Sequence, residues 1–256
     1  MKKLVLLLIV SLVASAGAST VWNPVANTVT PGSQAWGDVD NWTNGLPTSL
    51  EKAVFNVPGA AECQVSGSFS GMQIVQGDNN SGGVLRVQNG GVLTTKVAWS
   101  AVGYNDTAHA IVDAGGTYNF SQHAWIGLNA GVVGTLDISG LVTVGQMLGI
   151  GLGGGVGTIN VKDGCVLDLF QMHGDGSSSV KVGSVLNIET GGQVLLPGDY
   201  TAVIDAYIAN GRMASDGVIG AVTITVADGI TTLTEIPEPA TMILLGLGGV
   251  LLRRKK

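Results

Sequence analysis

The sequence predicts an all-β fold: a right-handed parallel β-solenoid of about five coils, each about 24 residues long. Three observations carry this prediction. A turn glycine recurs as Gly90, Gly115, Gly140, Gly164 and Gly191, at intervals of 25, 25, 24 and 27 residues. A second glycine recurs every 24 residues, in Val102-Gly103-Tyr104-Asn105, Ile126-Gly127-Leu128-Asn129 and Ile150-Gly151-Leu152-Gly153. An alternating apolar pair precedes the first landmark: Leu85/Val87, Ala110/Val112, Leu136/Ile138, Ile159/Val161 and Leu186/Ile188. A further pair follows it: Val92/Thr94, Tyr118/Phe120, Val142/Val144 and Leu167/Leu169. Alternation with period two is the signal of a half-buried strand, and glycine supplies the positive φ that corners between strands need. A coil of two or three short strands cannot bury its inner face alone, so stacking must complete the core. An antiparallel β-sandwich also alternates and turns at glycine. It does not require glycines in phase, and the fixed interval favours the solenoid.

The elements follow in chain order. Residues 1–18 read as a secretory signal peptide: Lys2 and Lys3 are basic, residues 4–13 are apolar, and cleavage falls after Ala16 or Ala18. Residues 19–82 form an N-terminal cap and the first irregular strands. Within it, Trp36 and Trp42 are large apolar plates that can cover the exposed edge of the first coil. A sugar-stacking platform is their alternative use. The run from Ala35 through Asn41-Trp42 and Gly45-Leu46-Pro47 to Ala53-Val54-Phe55 resembles the first unit of many exported β-helical, autotransporter-like proteins. Residues 83–197 are the solenoid repeats. Residues 198–235 form a C-terminal cap of helix plus hairpin. Asp199 is placed to N-cap the helix, Tyr200, Val203, Ile204, Tyr207 and Ile208 fall at helical spacing, and Asn210-Gly211 ends it. Val222, Ile224 and Val226 then alternate up to Asp228-Gly229, a hairpin turn signal.

Residues 236–256 carry a different message. Pro237-Glu238-Pro239 precedes an apolar stretch, residues 240–252, and Arg253-Arg254-Lys255-Lys256 closes the chain. The apolar stretch is shorter than the roughly 20 residues of an ordinary span. Its basic end stays cytoplasmic under the positive-inside rule, which makes it a short stop-transfer helix. An ordinary C-terminal membrane anchor would share these features. The three parts in this order resemble the PEP-CTERM sorting signal of exported bacterial proteins. The resemblance implies processing near Pro237-Glu238-Pro239 by an exosortase-type membrane transpeptidase, transient membrane attachment through the C-terminal helix, and delivery to the cell envelope, cell surface or extracellular matrix. It also implies a setting in which exopolysaccharide is a frequent partner.

Charge and chemistry narrow the function. Between Ser19 and Ile236 there are 6 Lys and Arg against 17 Asp and Glu, a net charge of −11. Such a surface excludes nucleic acid, whose binding depends on neutralising phosphates; neutral sugars and divalent cations remain compatible. Gly149-Ile150-Gly151-Leu152-Gly153-Gly154 matches a dinucleotide-binding pattern in letters only, because a strand and not a helix follows it. Gly153-Gly154-Gly155 lacks the aspartate of calcium-binding repeats, and Gly174-Asp175-Gly176-Ser177 is an isolated acidic turn. Cys63 and Cys165 lie in different coils and read as buried or corner thiols. Cys165 stands where the neighbouring coils carry Gly91, Gly116, Leu141 and Gly192. The three histidines are His109, His123 and His173. An enzyme would use Tyr104, Asp106, His109 and His123, or the pair Asp113 and Asp137, which lie 24 residues apart. The coils are too uniform to build a cleft around them, so no catalytic residue, metal site or cofactor is assigned. The sequence thus points to a structural or adhesive, non-catalytic exported solenoid. The alternatives are an extracellular carbohydrate-binding module and a small pectate-lyase-like polysaccharide-degrading enzyme.

Overall fold

The computed structural model describes residues 18–236, apart from 27, 31, 58–60, 79–81, 98 and 173–178. The chain winds into a parallel β-solenoid of about six coils with three faces. The four coils from Cys63 to Ile150 each contribute one strand to each face, in the same order; in the next coil the third face is reached only by a bridge at Val180, and in the last a helix follows the second-face strand. The first face stacks Cys63–Val65, Val84–Val87, Ala108–Val112, Val133–Ile138, Val156–Val161, Val185–Ile188 and Met213–Ser215 in parallel. The second stacks Ser68–Gly71, Val92–Thr95, Thr117–Phe120, Leu141–Val144, Val166–Leu169 and Gln193–Pro197. The third stacks Ser19–Val21, Lys52–Phe55, Gln73–Gln76, Trp99–Val102, His123–Ile126 and Met147–Ile150. The coil pattern therefore begins at Cys63, within the stretch expected to be irregular.

The register explains the sequence pattern. Leu85, Ala110, Leu136, Ile159 and Leu186 stand opposite one another and are all buried, as are Val87, Val112, Ile138, Val161 and Ile188. On the second face Leu93 pairs with Tyr118, and Thr95 with Phe120. Leu93 and Thr95, not Val92 and Thr94, are therefore the inward pair of that coil. The coil with the two stacked rings Tyr118 and Phe120, 4.0 Å apart, carries alanines inward at positions 110 and 124. Large and small residues thus share one close-packed layer.

The turn between the first two faces is not uniform. Gly90, Gly115, Gly164 and Gly191 have positive φ, but Gly140 does not. The turn Ser139-Gly140 is two residues shorter than its neighbours, and Leu141 pairs with Thr117 and Val166. Gly140, rather than Leu141, therefore matches Gly116 and Cys165. A Cβ at Gly116 or Gly192 would fall within 2.7 or 2.4 Å of a carbonyl oxygen of the preceding coil. The coil before Cys165 has the short turn, which opens a notch of about 410 Å³ lined by Gly140, Leu141 and Cys165. That space admits a side chain larger than glycine's hydrogen. Cys63 and Cys165 are both free and buried.

Both ends are closed by the chain itself. Trp22, Trp36 and Trp42 are buried with Phe55 and pack edge to face, with ring centroids 5.2 Å apart for Trp22–Trp42 and 4.7 Å for Trp36–Trp42. Trp36 also meets Phe69 of the first coil, and Ala35 bridges to Gln64. These rings lie inside the molecule, so they cannot serve as a sugar platform. At the other end, helix α1 (Thr201–Ala209) follows the last second-face strand. Its N-cap is Tyr200, one residue later than expected. Asp199 instead accepts the backbone N–H of Thr201. Gly211 has φ +69°, and the N–H groups of Gly211 and Arg212 return to the carbonyls of Ile208 and Tyr207. This is a Schellman ending. Two antiparallel hairpins complete the cap: Met213–Ser215 with Val218–Ile219, which the sequence did not announce, and Val222–Ala227 with Ile230–Glu235. Asp216-Gly217 and Asp228-Gly229 both have positive φ at both positions, as type I′ turns require.

Candidate functional site

Two outer surfaces gather chemistry. The first face carries polar side chains in register. Asn160 Nδ2 donates to Asp137 Oδ1 at 2.7 Å, and Asn187 Nδ2 donates to Asn160 Oδ1 at 3.2 Å. Hydrogen bonds of this kind tie successive coils together outside the core, as Thr143–Asn119 does on the second face. His109 Nε2 lies 2.9 Å from Asp137 Oδ2, and Lys162 Nζ lies 3.9 Å from the same oxygen. The hydrogen bond from His109 holds the Asp137 carboxyl below the usual carboxylate range; Asn160 and Lys162 add to this and burial opposes it. Arg86 bridges Glu62 at 2.9 Å and Asp113 at 2.8 Å.

These contacts bear on the residues that an enzyme would use. Asp137 stands opposite Ile111, so Asp113 and Asp137 do not face each other despite their spacing. His109 lies on the first face and His123 on the third. Tyr104 and Asp106 lie in the loop after Val102, and Asp106 accepts the N–H of Thr107. The structure therefore does not bring Tyr104, Asp106, His109 and His123 into one group. His173 and Gly174-Asp175-Gly176-Ser177 fall outside the described residues.

The third face holds what the sequence reading missed: a row of aromatic rings. Its inward residues are Ala124, Val102, Ile126, Leu148 and Ile150. The alternate residues point outward: Trp99, His123 and Met147 in one row, and Ala101, Trp125 and Gly149 in the next. The His123 and Trp125 rings stack at 5.4 Å with planes 14° apart. Tyr104 swings back over the same face, its ring 5.1 Å from Trp99. Trp99, Tyr104 and His123 are half-buried, and Trp125 retains 9% exposure. The small neighbours Ala101 and Gly149 leave room for the Trp125 indole. Burial pushes the His123 imidazole pKa down, and Nδ1 has no hydrogen-bond partner among the described residues. The shift favours the neutral ring, which is the fourth flat surface on this face beside Trp99, Tyr104 and Trp125.

The exit of the chain is the remaining functional feature. Glu235 accepts the N–H of Gly191 at 3.0 Å, and the N–H of Ile236 donates to the carbonyl of Ala221 at 3.2 Å. The fold thus holds the chain up to the residue before Pro237. Pro237, Glu238 and Pro239, the basic residues Arg253, Arg254, Lys255 and Lys256, and the signal residue Ala16 lie outside the described residues. Ala18 is the first described residue, immediately before the strand Ser19–Val21.

A β-solenoid that delivers its C-terminus directly into such a tail is an exported, sorted repeat protein. The comparison with protein families agrees: residues 235–256 match the PEP-CTERM protein-sorting motif. The chain is accordingly exported, processed by an exosortase at the cell envelope, and anchored or released at the cell surface. No curated protein and no solved structure matches the chain.

Proposed function

We propose that this protein is a non-catalytic, adhesive component of the cell surface or extracellular matrix, which holds exopolysaccharide on the third face of its solenoid. The observation that supports this reading is the aromatic cluster on that face, in which Trp99 and His123 stand in register, Trp125 stacks on His123 and Tyr104 packs on Trp99. Flat rings present apolar plates with a polar handle, and the C–H faces of pyranose rings pack on such plates. Neutral glycan fits better than acidic glycan, because the folded part carries −11 and anionic chains would be repelled. The coils give the plates a fixed spacing along the solenoid axis, about 4.8 Å per coil. A glycan strand lying along that axis meets one plate after another.

The test is affinity electrophoresis and a glycan array with the secreted, processed protein. Saturable binding to neutral polysaccharide is expected. Trp99→Ala should weaken it about tenfold, or roughly 1.4 kcal/mol, with the melting temperature held within a few degrees. Binding unchanged in Trp99→Ala would reject the third face as the contact. Release of reducing or unsaturated ends from a polysaccharide, lost in His109→Ala or His123→Ala, would replace the adhesive reading with an enzymatic one.

A further inference from the structure

The three sheets end differently at the C-terminal end of the solenoid. The third face ends at the bridge between Ile150 and Val180. The outward N–H of Val180 donates to Tyr207 Oη at 3.3 Å, and its carbonyl accepts from Arg212 Nη1 at 3.0 Å, so side chains close that edge. The first face ends in Val218–Ile219, a strand of two residues. The second face ends in Val222–Ala227, a strand of six residues and the outermost of its sheet. No described residue pairs with its outer edge.

That strand has none of the usual protection of an edge. Val222-Thr223-Ile224-Thr225-Val226-Ala227 contains no charge and no proline, and five of its six residues are β-branched. Native edges are normally guarded by charge, proline, a bulge or shortness, and uncharged β-prone segments of this length are the ones that pair. Because Ala227 and Ile230 flank a two-residue turn, they form a hydrogen-bonded pair. Alternation then turns the N–H and C=O groups of Val222, Ile224 and Val226 to the open edge. The bond from Ile236 N–H to Ala221 O fixes the same phase from the other end of the hairpin.

We propose that a second copy of this chain pairs with Val222–Ala227 in antiparallel fashion about a two-fold axis through Ile224. The pairing is self-complementary. Ile224 meets its own copy, and Val222 of one chain meets Val226 of the other, so all three outward residues exchange both backbone bonds. Val226 and Ile230, 43% and 44% exposed, extend the apolar side of the hairpin beyond the core. Residues opposite one another in a sheet point to the same side, so pairing lays Val226 against the buried Val222 of the second copy. Two molecules of like charge can meet here because the contact itself carries none.

Sedimentation velocity of the secreted, processed protein tests this. A dimer at micromolar concentration is expected. Val226→Pro removes only an outward N–H and should leave the hairpin's own bonds intact, yet weaken dimerisation at least tenfold. Val226→Lys serves where the proline variant fails to fold. Val226→Thr keeps the N–H and should remain dimeric. Ile224→Cys should form a covalent dimer on oxidation, since a hydrogen-bonded pair sits about 5.5 Å apart, within disulfide reach. A wild-type monomer without Ile224→Cys cross-linking overturns the proposal, as does a dimer indifferent to both Val226→Pro and Val226→Lys.

Discussion

Glycines that look alike in the sequence differ in what they do. Gly90 has φ +76° and no atom within 4 Å of the place a Cβ would take, so only its backbone conformation resists substitution. Gly127 has φ +67° and its Cβ would fall 2.1 Å from the Val156 carbonyl oxygen. Gly90→Ala should cost about 1–2 kcal/mol, the penalty of a left-handed residue. Gly127→Ala should cost severalfold more, because two coils must separate to admit the methyl group. Paired thermal melts decide this, and equal losses would contradict it. His123 supplies a second prediction. Burial makes its folded pKa lower than its unfolded value, so the unfolded chain binds more protons between the two. Stability from this residue is complete above the unfolded value of about 6.5 and is lost as pH falls from there towards the folded value. His123→Phe keeps the stacking on Trp125 and should flatten this part of the pH–stability curve. A curve of unchanged slope would show that the imidazole is not its source.

At the scale of elements, the solenoid depends on how its strands stop. Val180 is a single bridged residue, and the edge beyond it is closed by Tyr207 and Arg212 from the cap. Tyr207 is buried, so Tyr207→Phe leaves the Val180 N–H without a partner away from water. That should cost about 1–3 kcal/mol, the penalty of an unsatisfied buried donor. A denaturation midpoint equal to wild type would mean that the edge is solvated after all. The strands also explain a gap in the sequence reading. The first two faces alternate apolar and polar residues, as Leu136-Asp137-Ile138 and Val142-Thr143-Val144 do, and were legible. The third-face strands Trp99–Val102, His123–Ile126 and Met147–Ile150 lose this contrast. Their outward positions hold Ala101, Trp125 and Gly149, so both sides of the strand look apolar. Only the 24-residue interval from Trp99 to His123 and Met147 signalled an aligned row.

At the scale of the whole molecule, address and architecture meet at Ile236. The fold grips the chain as far as this residue, and the sorting motif begins at residue 235. Glu238→Ala should leave export intact and stop final processing. Mass spectrometry of the cell-envelope and secreted fractions checks this; a mature C-terminus identical to wild type would refute it. Both cysteines are buried and unpaired. Intact protein should therefore show two thiols only after unfolding, and a reductant should not shift its melting temperature.

The sequence by itself determined the period, the corner glycines at 103, 127 and 151, the inward pairs of most coils and the destination of the protein. These are legible because each depends on local chemistry repeated at a fixed interval or on a linear motif. Tertiary structure decided the rest. Coil lengths vary from turn to turn, as Gly140 shows, so residues 24 apart in sequence need not stand together in space. Asp113 and Asp137 are separated for that reason, and Cys165 is placed beside the notch of the short turn. The aromatic row arises because Trp99, Tyr104, His123 and Trp125 come from two coils and a loop, and only stacking puts them on one surface. The open edge at Val222–Ala227 is likewise a property of what packs beside a strand, which no strand encodes alone.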